Sequence, residues 1–186
     1  RIAEEFFKKK KSPSTVLFLA PSISLLSQTI MEWGQNKKSP YMALAVCSDA
    51  KVGKKDDDDM QVTDLAIPAS TDVEKLAAAL ANRGTKNLVI FSTYQSSPMI
   101  AEAQKMKDVP VFDLVIADEA HRCAGKVSSS FTTVLNDDLI RSKKKLFTTA
   151  TPRTYSSNLK KQAEELDFEI SGMDDEKVFG TEFYRL

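Results

Sequence analysis

Residues Asp113–Arg122 read DLVIADEAHR, an apolar run followed at once by two adjacent carboxylates, Asp118 and Glu119, and then by the chain's single histidine, His121. A continuous apolar run is the pattern of a strand buried on both faces. In open α/β sheets, ligands bind beyond the carboxyl ends of such strands. The pattern therefore predicts that Asp118 and Glu119 stand where a ligand sits. Two carboxylates at that point can divide two tasks. Asp118 can hold Mg2+ through water, since this hard cation takes oxygen ligands. Glu119 can orient the water that attacks a γ-phosphate. The bland alternative is an acidic strand end opening a helix, where the dipole favours acids. The apolar strand directly ahead of the pair weighs for the acidic half of a nucleotide site.

Downstream, after an apolar run of its own, the chain reads LFTTATPRTY over Leu146–Tyr155. The hydroxyls of Thr149 and Thr151 are expected to bond the acidic motif across the site. Together these two motifs resemble the first motor domain of superfamily 2, DEAH-type helicases and translocases, especially the helicase subunits of type III and type I restriction enzymes. The resemblance implies a RecA-like P-loop NTPase fold, an α/β domain with a mostly parallel sheet sandwiched by helices. It implies catalytic roles for Glu119 (base), Asp118 (Mg2+) and His121, which links the nucleotide site to an adjoining domain by a coupling hydrogen bond. It assigns Thr149, Ala150 and Thr151 to joining ATP hydrolysis to movement.

Two further segments fit the same family. Leu19–Gln28 (LAPSISLLSQ) resembles its first strand-to-helix nucleic-acid motif, with Pro21, Ser22 and Gln28 as candidates. A Ser hydroxyl and helix-start amides suit phosphate contact. Phe91–Gln95 (FSTYQ) resembles the next such motif, with Thr93, Tyr94 and Gln95 as backbone-contact candidates. Groups of this kind track a strand without reading its sequence. The tail Ser171–Leu186 is similar to the stretch after the TATP motif in large helicases related to restriction motors.

One expected part is missing. A phosphate loop reads GxxxxGK[ST], and neither Gly53-Lys54-Lys55 nor Gly125-Lys126-Val127 has the preceding glycine or the following hydroxyl. Truncation is the expected reason: residues 1–11 resemble the end of the helix that follows that loop, and 168–186 lead toward a second motor domain. On this reading, residues 1–186 are a partial motor domain 1 whose sheet lacks the phosphate-loop strand. ATP and Mg2+ are then cofactors of the parent enzyme, and the isolated fragment is inactive and binds neither. Because the missing strand is taken as central, an apolar groove is expected in the sheet, open to self-association.

The elements that must position these residues follow from hydrophobic periodicity. Strands are expected at Val16–Ala20, Met42–Cys47, Leu88–Phe91, Leu114–Ala117 and Leu146–Thr149. Helices are expected from Ser22 to Trp33, from a capping box at Thr71–Glu74 to Gly84, from Ser96-Ser97-Pro98, and from Ser156 to Leu166. Residues 51–67, with KKDDDD at their centre, read as a charged surface loop.

Composition bounds the rest. The 186 residues hold 26 Lys plus Arg against 26 Asp plus Glu, so a nucleic-acid partner rests on a local face and not on net charge. Two distant cysteines, Cys47 and Cys123, argue against structural zinc and a disulfide scaffold and point to a reducing cytoplasm. No apolar run is long enough to span a membrane. The expected function is an ATP-dependent motor on nucleic acid, with DNA preferred over RNA. The alternatives are an RNA helicase motor and a degenerate, non-catalytic RecA-like binding module.

Overall fold

The computed structural model describes residues 2–10, 12–47, 65–126, 130–166 and 170–181. The chain opens with α1 (Ile2–Lys9), β1 (Thr15–Ala20), α2 (Ile23–Asn36) and β2 (Tyr41–Val46). It continues through α3 (Val73–Ala81), β3 (Asn87–Thr93), α4 (Ser97–Lys105) and β4 (Leu114–Ala117). Then follow β5 (Gly125–Lys126), β6 (Lys145–Phe147), α5 (Ser157–Glu165), β7 (Ile170–Ser171) and α6 (Glu176–Phe179). Five strands form one sheet in the order β2-β3-β1-β4-β6, and every pairing is parallel. The expected α/β class with a parallel, helix-flanked sheet is therefore found.

All six residues of β1 are buried, because a strand with neighbours on both edges and helices on both faces has no solvent side. Its alternation sorts side chains into two cores. Leu17 and Leu19 join Leu80, Ile100 and Phe112 on one face, while Val16 and Phe18 join Leu26, Ile30 and Phe91 on the other. In the second core Trp33 sets its ring edge-on to Phe18 (5.3 Å) and Phe91 (5.4 Å), fastening α2 to the sheet. Such pairs contribute about 1 kcal/mol beyond their burial.

Helix ends follow local chemistry. Ser22 caps α2, its hydroxyl accepting from the Leu25 amide at 3.3 Å, and Ser97-Pro98 opens α4. The cap of α3 is Asp72, not the expected Thr71: its carboxylate accepts from the amides of Glu74 (3.0 Å) and Lys75 (3.1 Å). Thr71 lies one residue too early to reach them. Most of the 51–67 segment lies outside the described residues, as do 168–169 and 182–186 of the tail; Leu65 and Ile67 pack against the second core.

The expected slot in the sheet is absent. β1 pairs directly with β4 and β4 with β6, so the five strands run without interruption. The sheet ends at two outer edges, β2 and β6, and at the β6 edge Lys145, Leu146 and Phe147 are half-buried. That removes the argument for self-association through an interior groove. Among the described residues no helix is long and apolar enough to cross a membrane.

At the amino end of β4, Asp113 ties four parts of the chain together. Its carboxylate accepts from the Thr15 amide (2.9 Å) and from Lys143 (2.8 Å), and it also pairs with Lys10 beyond α1. Burial alone would raise its pKa, but the two lysines and the amide outweigh burial and hold it at about 2. With the folded value below the unfolded one, the stabilisation is complete above pH 4 and is lost as pH falls toward 2. Asp113→Asn is therefore expected to cost about 2 kcal/mol at neutral pH. Urea unfolding of both proteins from neutral to acid pH checks this: the gap should narrow only below pH 4. A gap independent of pH would show that the charge is not what stabilises.

Candidate active site

The carboxyl ends of β1, β3, β4 and β6 meet at one edge of the sheet. Ladder bonding runs past the strand ends there and sets the geometry. The Asp118 amide donates to the Leu19 carbonyl at 2.9 Å, and the Thr148 amide donates to the Ala117 carbonyl at 2.9 Å. The Ala120 amide returns to the Thr148 carbonyl, also at 2.9 Å. β4 thus ends clamped between the chain beyond β1 and the chain beyond β6.

On this frame the Thr148 hydroxyl donates to Asp118 Oδ1 at 2.8 Å. Glu119 has left-handed backbone geometry (φ 50°, ψ 44°), which costs a non-glycine residue roughly 1 kcal/mol. A 3-10 turn, Ala120–Cys123, follows it and carries His121. The imidazole Nδ1 lies 3.1 Å from Glu119 Oε2 and 2.9 Å from Thr149 Oγ1. With its proton on Nδ1, His121 donates to Thr149 Oγ1 and lies against the Glu119 carboxylate, linking the acidic motif to the segment after β6. Thr149 Oγ1 also accepts from the Thr151 amide at 3.2 Å.

Threonine roles differ from the expectation. Thr148, which sequence reasoning missed, bonds Asp118, whereas Thr149 bonds His121. Ala150 and Thr151 are exposed, and the bond that Thr151 makes here comes from its amide. The strand register carries the missed signal: Ala117 pairs with Phe147, so the next residues, Asp118 and Thr148, stand level.

The nucleic-acid candidates divide by exposure. Gln28 and Gln95 face solvent, with Gln28 Nε2 on Glu32 (2.9 Å) and Gln95 Nε2 on the Pro21 carbonyl (3.4 Å). Ser22 is half-buried at the helix start, and Pro21 is buried beneath it. Thr93 and Tyr94 do not fit a backbone-contact role, because both are buried. The Thr93 hydroxyl donates to Ser96 at 3.2 Å, and the Tyr94 hydroxyl donates to the Asp118 carbonyl at 2.7 Å. The Tyr94 ring stacks on Phe131, 5.2 Å between centroids. Burial raises its pKa far above the ordinary phenol value, so it stays a donor. Cys123 beside it is pushed up to about 12 by burial, only partly offset by the Tyr94 hydroxyl, which makes it a packing residue and not a nucleophile.

Asp118 and Glu119 offer oxygen only. Among the described residues no group of three or more His, Cys, Asp or Glu converges on a metal position. Oxygen donors of this kind, one or two carboxylates beside water and substrate phosphates, are the type that Mg2+ takes.

Comparison with known proteins shows the family and the fold. Residues 1–154 match the family model described as "Type III restriction enzyme, res subunit". A probable helicase of African swine fever virus, from a South African tick isolate and from the Badajoz strain, is 32% identical over 152 residues, 81% of this chain. Among solved structures, the Type ISP restriction-modification enzyme LlaBIII bound to DNA is 35% identical over 100% of the chain at a TM-score of 0.75. A nuclease-deletion mutant of the related enzyme LlaGI, in complex with a DNA substrate mimic, is 34% identical over 97% at 0.70. The Hef helicase domain of Pyrococcus furiosus, 18% identical over 95% of this chain and 33% of its own, shares the fold at a TM-score of 0.50. The chain spans 15% of the length of the viral relatives, 14% of LlaGI and 12% of LlaBIII. With its parallel sheet, its acidic strand end and the threonine segment bonded to it, the chain belongs to the family of the res subunit of type III restriction enzymes.

Proposed function

We propose that this chain is part of the first motor domain of an ATP-driven, restriction-type helicase or translocase that moves on DNA. The observation that carries the reading is the bonded set Thr148–Asp118 and Glu119–His121–Thr149, in which the acidic motif and the segment after β6 are one hydrogen-bonded unit. Such a unit lets a change at a γ-phosphate reach a loop that leads away from the site.

In this reading Asp118 is the residue that holds Mg2+ through water, with Thr148 fixing its carboxylate. When bound, the ion neutralises charge on the β- and γ-phosphate oxygens. Glu119 orients the attacking water and takes its proton. His121 holds the Glu119 carboxylate and passes its displacement to Thr149. Ser22, Gln28 and Gln95 are the groups for the nucleic-acid backbone, and they carry no sequence preference. DNA is favoured over RNA because both similar restriction enzymes were solved as DNA complexes. A second motor domain is the partner that completes the ATP site. A cytoplasmic setting fits two buried cysteines that form no disulfide.

The sequence holds no GxxxxGK[ST] segment, so this chain alone is expected to bind Mg-ATP more weakly than about 1 mM. Titration calorimetry on the 186-residue chain tests that, and tight binding would refute it. The second reading is a non-catalytic binding module, and the parent protein decides between the two. ATP turnover that rises with duplex DNA and falls by a factor of about a thousand in Glu119→Gln supports the motor. No turnover in either protein leaves the binding module. Thr148→Val should lower kcat by about tenfold while leaving the fold intact, since one hydroxyl is exchanged for a methyl of equal size. Unchanged turnover would show that the Thr148–Asp118 bond is not part of catalysis.

A further inference from the structure

Glu119 is one of two non-glycine residues at positive φ among those described, the other being Asp108 in an exposed turn. Non-glycine residues persist there only where the surroundings over-determine the backbone. The peptide after Glu119 is fixed by the Ala120 amide on the Thr148 carbonyl, and the Glu119 carbonyl accepts from the Arg122 amide at 3.1 Å. The peptide before it is fixed from another segment altogether, by the Tyr94 hydroxyl on the Asp118 carbonyl at 2.7 Å. Rotation of that peptide is the easy route by which Glu119 would relax to negative φ, because it changes only Asp118 ψ and Glu119 φ.

We propose that Tyr94 is a positioning residue for Glu119: its hydroxyl locks the Asp118–Glu119 peptide, holds Glu119 in its left-handed conformation, and ties the Phe91–Gln95 segment to the acidic pair. The proposal rests on Glu119 acting as the base. Tyr94 is suited to the task because its ring cannot swing away. It is fully buried, stacked on Phe131, and opens a 3-10 turn that continues into the exposed Gln95. Gln95 in turn bonds the Pro21 carbonyl at the start of α2. A phosphate that displaces this turn drags the phenol with it, since a close-packed ring transmits a shift that a loose one would absorb. Nucleic acid bound near Gln95 thereby acts on the orientation of Glu119 through one buried hydroxyl.

The test uses two variants and two readouts. Tyr94→Phe keeps the ring and deletes the hydroxyl; Phe131→Leu removes the stacking partner and keeps the hydroxyl. In this chain, Tyr94→Phe should shift the 13C resonance of the Asp118 carbonyl upfield, and Phe131→Leu, which loosens the ring but keeps the hydroxyl, should shift it less. In the parent protein, Tyr94→Phe should lower kcat for DNA-stimulated ATP hydrolysis by about tenfold to a hundredfold with KM for ATP unchanged. An unmoved carbonyl resonance overturns the proposal. So does a shifted resonance with unchanged kcat in an active parent. A wild-type parent without turnover defeats the functional reading itself and the proposal with it, and is recognised because it needs no variant.

Discussion

The parallel ladder joining β1, β4 and β6 is what the rest of this structure depends on. Leu19 pairs with Ala117 and Ala117 with Phe147, so three strand ends are level to within one residue. Their bonding continues beyond the strands, through the Asp118, Thr148 and Ala120 amides. A slip of one residue in either pairing would turn every side chain to the opposite face. The two apolar cores forbid it, because Leu17 and Leu19 belong to one and Val16 and Phe18 to the other. The position of Asp118 opposite Thr148 is thus a consequence of core packing several residues away.

This explains what could be read from the sequence and what could not. The five strands of the sheet were legible because a buried parallel strand leaves an unbroken apolar run, as in Val16–Ala20 and Leu114–Ala117. The acidic pair was legible because its residue types directly follow such a run. The ribbon of β5 with β7 was not, since two residues per strand carry no periodicity. Thr148 was passed over for Thr149 because the two differ only in register, which is a relation between strands. Thr93 and Tyr94 read as backbone-contact groups because FSTYQ resembles a family motif, and a motif says nothing of burial. Their burial comes from Phe131, α4 and the turn after β4, contacts that no local pattern encodes. The cap at Asp72 was missed by one residue because Thr71 and Asp72 are both good caps and only backbone geometry chooses.

The tail packs beside the same site. Its β7 pairs with β5 just past the acidic motif, and the Met173 amide donates to the Arg153 carbonyl at 2.8 Å. Phe179 meets Phe147 edge-on at 5.1 Å. Close approach matters here: a Cβ on Gly172 would stand 3.3 Å from the Tyr155 amide nitrogen and would collide with the Asp174 carboxylate. The exposed stretch Ala150–Thr154 is consequently held at both ends, by Thr149 on His121 and by Tyr155 and Arg153 against the tail. Anchoring at both ends is what the coupling role proposed for this segment would require.

The two ends of β4 also show how charge is apportioned. Asp113 and Asp118 flank the same four-residue strand, LVIA. At the amino end two lysines and an amide satisfy Asp113 and hold its pKa at about 2 against burial. At the carboxyl end Asp118 accepts from a neutral hydroxyl, and Glu119 pairs only with an imidazole. Among the described residues neither forms an ion pair with Lys or Arg. Leaving two adjacent carboxylates uncompensated concentrates negative potential at one edge of the sheet. On the proposed reading, that potential is what would draw a divalent ion carried in by phosphates to this edge.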